Sequence, residues 1–266
     1  MSDELVFVKL GGSLITDKWR EATARPALIR RLAEEMRAAL DAHPQMRVVL
    51  GHGSGSFGHW EADQHGTAQG VQTPAQWRGF ARVSAAAARL NRLVTDAFWE
   101  ADVPVISLQP SAATSADAGE ILVWHTPPLR EALAHGLVPL IFGDVAFDQA
   151  WGGTILSTER LFCYLAEHLK PARILLFGNA PGVLDDQHRV ISEITPANYP
   201  QIAPFLEGAA SIDVTGGMAD KVQRMIALVE RAPHLRVWIL TGREPGHIEC
   251  ALASPDATPG TLIHRG

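Results

Sequence analysis

Apolar residues fall into six short runs, at residues 5–10, 47–50, 103–108, 138–142, 173–177 and 236–240. The runs are continuous rather than alternating, the signature of strands buried on both faces. Between several of them the apolar spacing changes to that of a helix. Leu28, Ile29, Leu32, Met36 and Leu40 form one stripe, opened by Pro26, and Met218, Val222, Met225, Ile226 and Val229 form another. A longer helical stretch over residues 74–99 carries Trp77, Phe80, Val83, Leu90, Leu93, Val94 and Phe98. Its spacing is that of a core-covering helix or helix pair, and such helices also wall ligand pockets. Asp148 to Gly153 reads as a hairpin turn after a strand ending at Asp144. The strand, helix, strand repetition predicts an α/β protein, a three-layer αβα sandwich around a mainly parallel central sheet. Lys170-Pro171 marks the seam between an N-terminal half, residues 1–170, and a C-terminal half, residues 171–266.

Charge narrows the partners. The 23 Lys+Arg against 29 Asp+Glu leave −6 with both signs interspersed, which argues against a nucleic acid or an anionic membrane held by bulk charge. Any anionic ligand has to be captured locally. The two cysteines, Cys163 and Cys250, have neither CxxC spacing nor a His cluster beside them, so neither a disulfide framework nor a zinc site is expected. The opening MSDELVFVKLGG puts acids before its short apolar run, unlike a secretory leader. No apolar stretch approaches the ~18 residues that span a bilayer. The expected location is the cytoplasm.

Three glycine-rich turns carry the candidate chemistry. Lys9-Leu10-Gly11-Gly12-Ser13 follows the first strand, with Lys18 shortly after. Glycines at a strand end let backbone N–H groups converge on an anion, and a nearby Lys supplies charge. The second turn, Gly51-His52-Gly53-Ser54-Gly55-Ser56-Phe57-Gly58-His59, contains GSGSFG, which formally satisfies GxGxxG, and has His59 where a P-loop requires Lys. A dinucleotide site needs a strand ending in an acid ~20 residues on, where this chain has an Ala-rich helical stretch with Arg78 and Arg82. The P-loop reading fails for want of its lysine. What remains is a set of N–H donors ending in an imidazole, suited to a phosphate or phosphonate. The third turn, Asp213-Val214-Thr215-Gly216-Gly217-Met218, opens a helix carrying Lys221, with Thr215 as its natural N-cap. Three such turns with three lysines, in an acidic chain, match what phosphoryl transfer requires: positioning and neutralisation of developing charge.

The strand KLGGS with Lys18, the turn HGSGSFGH, the strand end Gly143-Asp144-Val145 and the segment SIDVTGGM with Lys221 together resemble the isopentenyl phosphate kinases of the amino acid kinase superfamily, over about residues 5–263. The resemblance implies an amino acid kinase-like fold, ATP as co-substrate, Mg²⁺, a homodimer, and an acceptor half followed by a nucleotide half. It implies that Lys9, Gly11, Gly12 and Ser13 hold the β- and γ-phosphates, with Lys9, Lys18 and Lys221 at the transferring group. Ser54 and Gly55 would lie between acceptor and nucleotide, and His59 would hydrogen-bond the acceptor phosphate. Gly143 and Asp144 would complete the acceptor pocket, and the helices between Trp77 and Trp99 would receive an isoprenoid tail. Thr215, Gly216 and Gly217 would border the nucleotide, as would Asn179 and Gly182.

His59 discriminates among acceptors, because a phosphate needs a donor at its non-reacting oxygens, whereas the superfamily's amino-acid kinases accept on a carboxylate and lack this His. A fosfomycin-type phosphonate kinase shares a GxFGH-type turn and is the rival reading; a nucleotide-binding sensor or storage protein is the non-enzyme alternative. Two departures stand out. Relatives commonly carry S-x-D where this chain has Ser157-Thr158-Glu159, leaving Glu159 as the carboxylate that orients the lysines. Relatives read T-D-x-D-G where Gly178-Asn179-Ala180-Pro181-Gly182 stands here, which bears on nucleotide preference. No residue is assigned as a metal ligand.

Overall fold

A computed structural model describes residues 4–208, 217–254, 256 and 259–266. Its strands are β1 (Leu5–Leu10), β2 (Arg47–His52), β3 (Val105–Ser107), β4 (Thr114–Asp117), β5 (Glu120–Trp124), β6 (Val138–Phe142), β7 (Asp144–Asp148), β8 (Gly152–Leu156), β9 (Arg173–Gly178), β10 (Glu193–Ile194), β11 (Arg236–Thr241) and β12 (Gly260–Ile263). The helices are α1 (Gly12–Ile15), α2 (Pro26–Ala42), α3 (Gly55–His65), α4 (Pro74–Glu100), α5 (Pro127–Ala134), α6 (Thr158–Leu169), α7 (Tyr199–Gly208), α8 (Gly217–Arg231) and α9 (His247–Ala253).

Eight strands form the central sheet in the order β10-β12-β11-β9-β1-β2-β6-β3. Every pairing in it is parallel except β11 with β12. Continuous apolar runs make these strands because both faces are covered. Phe7, Val49, Ile174 and Val237 pack under α6 and α8, while Val6, Val8, Val48 and Leu50 pack under α2 and α4. The stripe on α2 buries Ile29, Leu32 and Met36, each contributing ~1.5–3 kcal/mol of apolar burial, and Pro26 starts the helix. The stretch around residues 74–99 is one helix, not a pair. A capping box of Thr73 with Gln76 starts it, and Pro74 sits in its first turn.

Two boundaries differ from the sequence reading. The strand at 103–108 shrinks to Val105–Ser107, because the Val103 N–H is already given to the Phe98 carbonyl at 2.9 Å as α4 turns out. Asp144 does not end a strand: β6 stops at Phe142, and Asp144 opens β7, whose hairpin with β8 turns at 149–151. That hairpin belongs to a second, four-stranded sheet, β5-β4-β7-β8, which the apolar runs do not reveal. Its strands are short and carry exposed Leu122, Val123 and Phe147.

Candidate active site

Because β1, β2, β6, β9 and β11 run parallel, their C-terminal ends open onto one edge of the sheet. The chain leaves β1 toward β2 on one side and later returns to β9 on the other, so β1 is a topological switch point, where open α/β sheets bind ligands. The first two glycine turns meet there. A Cβ on Gly12 would fall 2.4 Å from the Gly55 N, and one on Gly53 would fall 2.8 Å from the Gly12 N, so the two loops touch backbone to backbone. Gly55, at φ +49°, also lies against the Gly12 carbonyl. The second motif is less a loop than a short connection into α3: Ser54 is its N-cap, and His59 lies within the helix, half-buried.

Lys9 is the penultimate residue of β1, on the face covered by α6, and Glu159 sits in the first turn of α6. Ser157 caps that helix by accepting a hydrogen bond from the Arg160 N–H. The Lys9 ammonium and the Glu159 carboxylate form an ion pair with both side chains nearly buried. Burial by itself would push the Glu159 carboxyl up. The charges of Lys9 and Lys221, the Lys9 hydrogen bond and the Glu159 amide outweigh that and hold it at about 2. The fold thus brings Lys9, Glu159 and Lys221, from β1, α6 and α8, to one place. An anion entering here meets a Lys9 ammonium already nearly buried, where an electrostatic interaction counts for more than in water.

The other expected positions separate into groups. Gly143 is placed against Ser54 and Thr158: its Cβ would sit 3.6 Å from Thr158 Oγ1 and 3.8 Å from the Ser54 N. Asp144 is buried and accepts hydrogen bonds from the N–H groups of Val145 and Ser111 and from Gln109 Nε2. Asn179 donates from Nδ2 to the Ser13 carbonyl at 2.9 Å and accepts from Arg243 Nε at 2.8 Å, so it ties the end of β9 to the first turn. Lys18 stands apart from the Glu159 cluster. It is exposed on a hairpin stitched to Ser56 of α3, with its ammonium 4.7 Å from the Trp19 ring centroid. Gly182 is buried under Thr261 and Val190, where any Cβ would clash, so packing alone requires it to be glycine. Gly217 begins α8 at φ +53°; Thr215, Gly216 and the rest of 209–216 lie outside the described residues.

Three site-building residues escape a sequence reading. Thr16 Oγ1 donates to the Gly12 carbonyl and accepts from the Ser56 N–H, joining the first two turns. Thr158 Oγ1 donates to the His52 carbonyl at 2.6 Å. His52 itself lies buried beneath the second turn. Thr16 had one signal, a hydroxyl four residues after a helix-opening glycine, the spacing of a side chain that bonds back to the i−4 carbonyl.

The pattern of the amino acid kinase family matches residues 4–240. Over 254 residues, the chain is 32% identical to an isopentenyl phosphate kinase of Methanocaldococcus jannaschii, covering 93% of this chain and 95% of that one. It is 37% identical over 224 residues to an isopentenyl phosphate kinase of Haloferax volcanii, with 84% and 88% covered. A crystal structure of an isopentenyl phosphate kinase superposes with a TM-score of 0.82 at 28% identity, over 97% of this chain and 99% of that one.

Proposed function

The chain belongs to the amino acid kinase family and to its isopentenyl phosphate kinase branch, and we propose that it transfers the γ-phosphoryl group of ATP directly to isopentenyl phosphate. An oxygen of the acceptor phosphate attacks the γ-phosphorus, the bond from that phosphorus to the β,γ-bridging oxygen breaks, and ADP leaves beside isopentenyl diphosphate. The observation that carries this reading is the Lys9–Glu159–Lys221 cluster beside two mutually packed glycine turns at a single sheet edge.

In this reading the residue roles are those the resemblance implies. The Gly11, Gly12 and Ser13 backbone cradles the β- and γ-phosphates, and Lys9 and Lys221 neutralise the transferring group. Glu159 keeps the two ammonium groups placed, and their charges hold its carboxyl ionised. Lys18 adds its charge from the hairpin over the nucleotide. His59 donates to the acceptor phosphate, with Ser54, Gly55, Gly143 and Asp144 around it. Asn179, Gly182, Thr215, Gly216 and Gly217 border the nucleotide. Residues 1–170 serve the acceptor and 171–266 the nucleotide. The tail lies toward the part of α4 between Trp77 and Trp99, where Phe80 and Val83 belong to a buried apolar cluster with Ala62, Val71 and Val145.

Mg²⁺, when bound, would neutralise charge on the nucleotide phosphates. Among the described residues no group of three His, Cys, Asp or Glu side chains is placed to hold a metal, which fits a cation carried in on the nucleotide phosphates with most of its water. We also place two copies in a homodimer, supported by exposed Leu93 and Trp99 on α4 and Ile106 on the edge strand β3. Two unpaired cysteines agree with a reducing cytoplasm. Among the described residues no helix is long and apolar enough to cross a membrane.

Steady-state kinetics on isopentenyl phosphate, dimethylallyl phosphate, fosfomycin, N-acetylglutamate and UMP test the reading. The expected result is the highest kcat/KM with the C5 monophosphates. Preference for fosfomycin selects the phosphonate alternative, and nucleotide binding with no transfer selects the sensor.

A further inference from the structure

The first histidine of the HGSGSFGH segment is absorbed by none of the roles above. His52 ends β2 with no exposed surface, its ring stacked on Phe142 at 5.6 Å between centroids and 8° between planes. Its backbone carbonyl accepts hydrogen bonds from the Gly143 N–H and from Thr158 Oγ1, so the residue is pinned to both neighbouring loops. Its side chain has two polar contacts. Nδ1 lies 3.0 Å from the Gly53 carbonyl, and Nε2 lies 3.2 Å from Asn91 Nδ2 on α4. Asn91 Oδ1 in turn accepts from Ser107 Oγ of β3 at 2.6 Å.

The chemistry of these groups dictates the direction of every bond. A peptide carbonyl only accepts, so Nδ1 must carry the ring proton. In a neutral ring Nε2 is then an acceptor, Asn91 must present its amide N–H to it, and its Oδ1 is left for the Ser107 hydroxyl. A doubly protonated ring would require Asn91 to turn its Oδ1 to Nε2 and the Ser107 hydroxyl to accept instead of donate, with a charge placed inside the core and near the Lys9 ammonium. Burial, with Lys9 adding to it, accordingly lowers the imidazole to about 4, against the opposing pull of the Gly53 carbonyl.

We propose that His52 is a positioning residue for phosphoryl transfer: as the Nδ1–H tautomer, oriented by Asn91 and Ser107, it holds the Gly53 peptide and through it the loop that leads to His59. The Gly53 peptide has little freedom to lose. Its N–H is bonded to the Leu10 carbonyl at 3.0 Å, and its Cα packs on the Gly12 backbone. A shift of the Gly53 carbonyl would therefore move both the donor loop at Gly12 and the acceptor side at Ser54 and Gly55. Displacements of ~1 Å cost up to ~100-fold in rate even when the altered residue never touches the reacting atoms. The inference rests on the kinase reading but not on which acceptor is used.

The experiment compares His52→Asn, His52→Leu, His52→Gln and Asn91→Ala, each with whichever acceptor the wild type phosphorylates best, so that a wrong acceptor assignment leaves the ranking intact. Asparagine places an amide N–H where Nδ1–H stood and is expected to recover most of kcat. Leucine removes both bonds and is expected to lower kcat by ~10–100-fold, at temperatures where circular dichroism shows it folded. If His52→Leu does not fold, His52→Gln replaces it: its longer amide reaches Asn91 but not the Gly53 carbonyl, and a loss of at least tenfold is expected. Asn91→Ala should lower kcat in the same direction, and combining it with His52→Leu should add nothing further, because the two act as one unit. The ¹⁵N shifts of the ring, assigned by the signal lost in His52→Asn, should report protonation at Nδ1. Unchanged kcat in folded His52→Leu or His52→Gln, an Asn variant as slow as the Leu variant, multiplying losses in the double variant, or an Nε2–H ring would each overturn the proposal.

Discussion

Lys9 and Glu159 lie 150 residues apart in the chain, yet they form an ion pair in which both side chains are almost sealed from water. β1 delivers one and the first turn of α6 the other. Removing one member of such a pair leaves an uncompensated charge, at a cost of about 3 kcal/mol. Glu159→Gln should therefore lower the thermal midpoint of the ligand-free protein, and ATP, whose phosphates supply replacement negative charge, should raise that midpoint more in the variant than in the wild type. Activity should fall by ~10–100-fold as Lys9 and Lys221 lose their common anchor. Glu159→Asp, with the carboxylate of the S-x-D relatives, should retain more activity than Glu159→Gln. Calorimetry with and without nucleotide, together with kcat/KM for the three proteins, checks both; equal behaviour of Gln and Asp variants would refute the orienting role.

His59→Ala should lose at least ~100-fold in kcat, the scale of a single preorganised donor to a developing charge. Near-normal turnover would remove His59 from the mechanism. The loss should be smaller with His59→Gln, which still offers an N–H.

Gly12→Ala tests the contact between the turns. Its Cβ would come within 2.4 Å of the Gly55 N and 2.7 Å of the Gly55 Cα, and neither backbone atom can yield without moving the phosphate cradle. Activity should drop by at least ~100-fold. Gly178→Ala is the control: nothing lies within 4 Å of its Cβ and its φ is ordinary, so activity and thermal midpoint should stay close to wild type. A tolerated Gly12→Ala would show that the turns are not held backbone to backbone.

Acid sensitivity should have two separable legs. The unfolded chain protonates His52 below about 6.5 while the folded chain resists until about 4, so the unfolded state binds more protons and stability falls as pH drops through that interval. Glu159, held at about 2 against 4.5, contributes stability in full above 4.5 and loses it as pH falls toward 2. Urea midpoints measured from pH 7 to pH 3 should show the first leg flattened in His52→Asn and the second flattened in Glu159→Gln. Identical slopes in all three proteins would contradict the assigned shifts.

The strand and helix pattern, the parallel sheet and the glycine turns at its edge were legible in the chain itself. Buried parallel strands need unbroken apolar runs, helices on a sheet need a stripe every three to four residues, and close backbone approach needs glycine, so each leaves a local mark. The motif resemblance located Lys9, Lys221 and Glu159 one by one, and tertiary structure joined them: an ion pair across 150 residues has no local signature, because its energy depends on two elements meeting at a dry sheet edge. The same holds for His52, whose neighbours in sequence make it one more polar residue of a glycine turn. Phe142 of β6 and Asn91 of α4 cover its ring at the end of β2, and in that dry setting the Nδ1–H bond to the Gly53 carbonyl counts for more than it would in water. Of the second sheet only the turn between β7 and β8 left a local mark: its strands are short and mix buried with exposed positions, and the β4–β7 pairing that joins its two hairpins links strands separated by α5 and β6.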